Sequence, residues 1–96
     1  MTIQEQLQQK REEILRIAAR HGVAEIRVFG SAGRGEAGPD SDVDFLIKVQ
    51  GPTTPWFPGG LVAELEQLLG RRVDVVEPEA LREALRREVL AEARPL

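Results

Sequence analysis

Three aspartates and one glycine-serine step are the residues in this chain whose types and spacing could do chemistry. Asp42 and Asp44 stand two apart in the run VFGSAGRGEAGPDSDVDFLIKV, Val28 to Val49. If that segment is extended, both carboxylates project from one face, about 6.5–7 Å apart along the chain. Two anions so placed repel unless a cation lies between them. Hard oxygen ligands suit Mg2+, which takes one or two carboxylates and fills its shell with water and phosphate oxygens. An isolated Asp-x-Asp suits a solvated strand entrance just as well, so the pair needs company. Asp74, in RVDVVE, joins it if the two strands are neighbours; taken alone, Asp74 reads equally as an exposed edge residue. Gly30-Ser31, with glycines again at 33 and 35, could hold phosphate oxygens through freed backbone N–H groups and the Ser31 hydroxyl. No Lys-Ser/Thr follows, so it is not a Walker A loop, and by itself it could be no more than a loop.

The elements that must position these residues follow from periodicity and breakers. Thr2-Ile3-Gln4-Glu5 has capping-box spacing, and Leu7, Ile14, Leu15, Ile17 and Ala18 recur at helical intervals up to Gly22. One helix is expected from Thr2 to His21, with His21 at its end in a capping role. Val23 to Phe29 reads as a strand ending at Gly30. Gly30 to Ser41 is loop with one helical turn near Ala32 to Gly35, and Asp40 shapes the turn in Gly-Pro-Asp-Ser. Asp42 to Val49 alternates: Val43, Phe45, Ile47 and Val49 face inward; Asp42, Asp44, Leu46 and Lys48 take the other face. After the breakers of Gly51 to Gly60, Leu61, Val62, Leu65, Leu68 and Leu69 mark a helix stopped by Gly70. Arg72 to Glu77 is a third strand. A last helix starts at Pro78, lined by Leu81, Leu85, Val89 and Ala93, with Glu83 and Arg87 paired on its exposed side.

Bulk composition narrows the function classes. The 96 residues suggest one domain, 1–96, and 42% hydrophobic with 30% charged residues describes a folded, soluble chain. A net charge of −3 argues against direct nucleic-acid binding, which needs a basic face. With no cysteine, disulfides, thiolate catalysis and Cys-based zinc sites are excluded. No apolar run is long enough for a membrane span and no signal peptide is visible, so a cytoplasmic location is expected. The chain has no tyrosine, so chemistry on a tyrosine hydroxyl would have to occur on another chain.

Taken together, Gly-Ser, ten intervening residues, Asp-x-Asp and a later strand aspartate form one pattern. The run GSAGRGEAGPDSDVDFLI, with RRVDVV after it, resembles the minimal nucleotidyltransferase (MNT) family of the DNA polymerase β-like superfamily, over essentially the whole chain. That resemblance implies an α/β (α+β) nucleotidyltransferase-like fold, a small three-stranded mixed sheet with helices packed on one side, in the order α-β-(short α)-β-α-β-α. It implies that Asp42 and Asp44 hold two Mg2+ ions over the phosphates of ATP. Asp74 would complete one metal site and help deprotonate the acceptor hydroxyl. Gly30 and Ser31 would bind the triphosphate, with Arg34 neutralising its growing charge. Arg34 has a second reading as a structural partner of Glu36 or Asp40.

The resemblance further implies a partner. MNT proteins of this size are paired with HEPN-domain RNase toxins and neutralise them by adding AMP to a tyrosine. The expected role is therefore that of a protein adenylyltransferase and antitoxin, in a hetero-oligomer with that toxin or a homo-oligomer. Two alternatives stand beside it: a non-catalytic antitoxin that masks its partner sterically, and a nucleotidyltransferase acting on a small-molecule hydroxyl. Trp56 and Phe57, between prolines, either meet a partner or fold back over the core.

Overall fold

The structure, a computed structural model, describes residues 2–38 and 40–96. The first turn forms as the capping box requires: Glu5 N–H donates to Thr2 Oγ1 at 3.1 Å, and Thr2 N–H donates to Glu5 Oε1 at 3.3 Å. The expected single helix is two, α1 (Ile3–Gln9) and α2 (Arg11–Arg20), broken at Lys10 with φ −96° and ψ 6°. Lys10 N–H still donates to Gln6 O at 3.0 Å and Ile14 N–H to Lys10 O at 2.9 Å, so the ladder bends rather than stops. Leu7 and Ile14 lie one heptad apart, a spacing that suits a straight helix too, so periodicity could not reveal the bend.

β1 (Val23–Phe29) runs into the five-residue α3 (Gly30–Arg34), and β2 (Val43–Val49) returns antiparallel to β1. α4 (Gly59–Leu69), closed by Gly70, then crosses over to β3 (Val73–Val76), which lies parallel to β2. The expected last helix begins as a 3-10 turn at Pro78–Ala80 and becomes α5 at Glu83–Glu92. Arg86 secures that junction by donating to Pro78 O and Leu81 O, both at 2.9 Å. On α5, Arg87 and Glu83 pair at 3.0 Å as expected. Of its four expected apolar contacts only Val89 is fully buried, and Leu85 stays 47% exposed.

The sheet has four strands, in the order β3-β2-β1-β4, where three were expected. β4 is only Arg94–Pro95, paired with Arg27 and Val28. Two residues show no alternation, and a proline there is compatible only with a sheet edge. One sheet face packs Val28, Val43, Phe45, Ile47 and Val73 against Ile3, Leu7, Ile14, Ile17, Leu61 and Leu65 of α1, α2 and α4. On the opposite face Leu46 is also buried, at 1% exposure, with the 3-10 turn lying against β2. That face is therefore covered in part and open where the aspartates lie. No described helix is long and apolar enough to cross a membrane.

His21 does more than end a helix. It is buried, its Nδ1 lies 2.6 Å from Thr54 Oγ1, and its Nε2 meets Glu64 Oε2 on α4. An ionised carboxylate can only accept, so Nε2 donates to Glu64, while Nδ1 shares a hydrogen bond with the Thr54 hydroxyl. The pair fastens the 51–58 loop, where Phe57 packs against the core and Trp56 stands 91% exposed with φ 63°. The His21 hydrogen bond holds the Glu64 carboxyl below its ordinary range, helped by Arg20. A depressed carboxyl pKa contributes stability above the unfolded value that is lost as pH falls through the folded one. Glu64→Gln is therefore expected to lower the Tm at neutral pH, with the gap to wild type closing below about pH 4. A gap that stays constant to pH 3 would contradict this role.

Candidate active site

Strand register decides which side chains meet. Phe29 of β1 lies opposite Asp44 of β2, and Asp44 lies beside Asp74 of β3. Phe29, Asp44 and Asp74 thus form one row across three strands, on the face away from the main core. Neighbouring strands are about 4.8 Å apart, so the two carboxylates stand side by side. Asp42, one residue ahead of β2, shares their side by alternation and meets Arg72 Nε at 3.4 Å. Sequence-based expectation and structure agree that Asp42, Asp44 and Asp74 share one region.

The electrostatics follow from that crowding. Burial, then the charge of Asp74, then that of Asp42 push the Asp44 carboxyl above its ordinary pKa. Among the described residues the three side chains are not drawn into a closed cluster of metal ligands. The donor set fits a hard divalent cation all the same: three carboxylates, no sulfur or imidazole, and a central anion whose neighbours are anions.

Gly30 is built into the same spot. Its φ is +69°, and a Cβ there would sit 2.5 Å from Asp44 Oδ2. The position therefore demands glycine twice, for the left-handed backbone and for the close approach to the carboxylate. Ser31 follows in the first turn of α3, partly buried. The glycine-serine step and the carboxylate platform are thus in direct contact, although 14 positions separate Gly30 from Asp44.

Arg34, at the end of α3, makes an ion pair with Glu36 at 3.0 Å and a second with Glu92 of α5 at 3.2 Å. The expected structural partner Glu36 is thus present, and Glu92 is one that no local signal in the sequence indicated. These partners raise the arginine's pKa further, Glu36 foremost. Beside Asp42 opens a polar cavity of about 400 Å3, lined by Asp40, Ser41, Asp42, Gly70, Arg71 and Arg72. Arg71 and Arg72 were not expected at the site; in the sequence Arg71 looks like an ordinary polar residue and Arg72 like the first residue of the third strand.

Without a cation, the charge on Asp44 opposes folding, so removing it should stabilise the chain while removing a candidate ligand. Asp44→Asn in chelator at neutral pH is expected to melt at a higher temperature than wild type. A lower melting temperature would show that Asp44 contributes to stability through bonds other than to a cation.

Known proteins share this geometry and sequence. Over 73 residues the chain is 45% identical to the protein adenylyltransferase MntA of Thermococcus cleftensis, covering 76% of this chain and 74% of that protein. A structure solved as a candidate minimal nucleotidyltransferase superposes with a TM-score of 0.87 at 46% identity, covering 100% of this chain and 97% of that one. A chain from a toxin–antitoxin complex with AMP-PNP shares the fold at a TM-score of 0.71 and 22% identity, over 91% of this chain and 69% of that one. The nucleotidyltransferase domain profile matches residues 8–96, and with the aspartate row and the Gly30 contact in place the chain belongs to the nucleotidyltransferase family, in its minimal form.

Proposed function

We propose that this chain is a metal-dependent protein adenylyltransferase that moves AMP from ATP to a tyrosine hydroxyl of a HEPN-domain RNase toxin, and so acts as its antitoxin. The observation that carries the reading is the contact of Gly30 with Asp44 while Asp44 stands in register with Asp74. Phosphate-binding turn and anionic platform then act on one nucleotide. The protein adenylyltransferase name of the Thermococcus relative supports a protein acceptor, and the toxin–antitoxin complex that shares the fold supports a toxin partner.

In this reading Gly30 and Ser31 bind the triphosphate through backbone N–H groups and the Ser31 hydroxyl. Asp42 and Asp44 hold the divalent cations, two Mg2+ ions, with Asp74 completing one site. Bound Mg2+ would let phosphates approach three carboxylates and stabilise charge on the attacking and leaving oxygens. Asp74 also helps take the proton of the acceptor hydroxyl. The acceptor oxygen forms a bond to the α-phosphorus of ATP, the bond from that phosphorus to the bridging oxygen breaks, and pyrophosphate leaves. Arg34 turns from Glu36 and Glu92 toward the phosphates, an exchange of one set of anionic partners for another.

A second reading rests on Trp56, which is almost fully exposed and holds a backbone conformation unfavourable for a bulky side chain. Such a residue suits a contact surface, and favours a chain that silences its partner by covering it.

The decisive assay combines the chain, Mg2+, ATP labelled at the α-phosphate and the candidate toxin. Label is expected on the toxin, and Asp44→Asn or Asp74→Asn should each reduce transfer by about 10³-fold or more. If either variant still neutralises the toxin fully, steric masking is the function. If label passes only to a small molecule, the protein-acceptor reading falls.

A further inference from the structure

Residues 35–38 and 40–42, which lead into the carboxylate platform, belong to no helix or strand. Asp44 is set by the pairing of β2 with β1 and β3, but Asp42 lies ahead of β2, so its placing must be fixed by contacts from elsewhere. Arg71 and Arg72 provide them. Val43 N–H donates to Arg72 O at 2.9 Å, the first link between β2 and the β3 segment. The Arg72 side chain meets Asp42 but is 83% exposed, and an ion pair in water fixes little.

Arg71 is different. Its Nη1 donates to Gly38 O at 2.9 Å and, more loosely, to Ser41 O at 3.5 Å, in a partly buried setting. Those two carbonyls bracket a turn in which Gly38 N–H donates to Ser41 Oγ at 2.9 Å and Ser41 N–H to Gly38 O at 3.2 Å. The guanidinium is thus spent on backbone carbonyls of the turn that immediately precedes Asp42. It also forms part of the wall of the cavity beside that carboxylate. A charged donor aimed at two carbonyls holds a turn more firmly than neutral hydrogen bonds do.

We infer that Arg71 is a positioning residue for the cation platform: by fastening Gly38 and Ser41 it fixes where Asp42 projects beside Asp44, and so sets how tightly a divalent cation is held. The inference rests on the reading of the aspartates as cation ligands. Groups that orient ligands from behind typically change metal affinity by 10–100-fold when removed. Arg71 acts one step further back, through the peptide backbone, so the low end of that range applies.

The test measures Mn2+ binding by electron paramagnetic resonance, with and without a non-hydrolysable ATP analogue, on wild type, Arg71→Ala, Arg71→Lys and Asp44→Asn. Arg71→Ala is expected to bind Mn2+ about 10-fold more weakly than wild type. Arg71→Lys should fall between, because it keeps the charge but its ammonium ends one bond short of the place Nη1 holds against the two carbonyls. Wild-type affinity in both Arg71 variants would overturn the proposal, even if their melting temperatures fall, since the residue would then serve stability alone. If Arg71→Ala does not fold, Arg71→Lys decides by the same criterion. If Asp44→Asn binds Mn2+ as wild type does, the cation reading itself fails and the Arg71 proposal with it.

Discussion

The repulsion between Asp44 and Asp74 is the constraint around which the rest of this small protein is arranged. Parallel pairing of β2 and β3 sets the two carboxylates at the same level of adjacent strands, and Asp42 adds a third negative charge. In water such a group would spread apart; on a sheet it cannot, because the backbone ladder fixes each Cα. The fold accepts that penalty on the open part of one face and draws its stability from the other, where Phe45, Ile14, Leu61 and Leu65 are fully buried. A chain this short has a modest core, so any charge that opposes folding is set against a small total. A divalent cation bound there, as proposed, would turn the same cluster from a cost into a binding energy.

Around that constraint the neighbouring residues fall into two groups. Gly30 and the turn at Gly38 to Ser41 bring backbone to the carboxylates from the β1 and the β3 side. Charged side chains are held back by partners: Arg34 by Glu36 and Glu92, and Arg72 loosely by Asp42. Each of these pairs is exposed enough to be exchanged at little cost. The site is therefore fixed in its backbone and adaptable in its cations, which suits a surface that must admit a charged nucleotide.

The sequence made the platform legible because alternation in a strand assigns a face without any tertiary knowledge. Asp44 and Asp74 each stand between apolar residues and Asp42 lies two before Asp44, so the alternation puts all three on the face away from the core. Helix limits at Thr2 and Gly70 were equally local. What escaped was non-local or too short to show a period. β4 has two residues and exists only because β1 offers it an edge. The bend at Lys10 leaves the hydrophobic phase intact. Glu92 reaches Arg34 across 58 positions and Arg71 reaches Gly38 across 33, and no pattern near either residue announces it. Leu46 reads as a solvent-side residue in the alternation, yet it is buried, on a strand against which the 3-10 turn lies.

In the proposed reading Gly30, Ser31, Asp42, Asp44 and Asp74 form one site for a cation-bound nucleotide. Titrating Mn2+ and a non-hydrolysable ATP analogue into isotope-labelled protein tests it most directly, because paramagnetic broadening reports distance from the ion. Amide signals of residues 30–31, 42–44 and 73–75 are expected to disappear first and together, while those of α2 and the 51–58 loop persist. Broadening that begins elsewhere, or that reaches Asp42 and Asp44 but spares Gly30 and Asp74, would contradict the account.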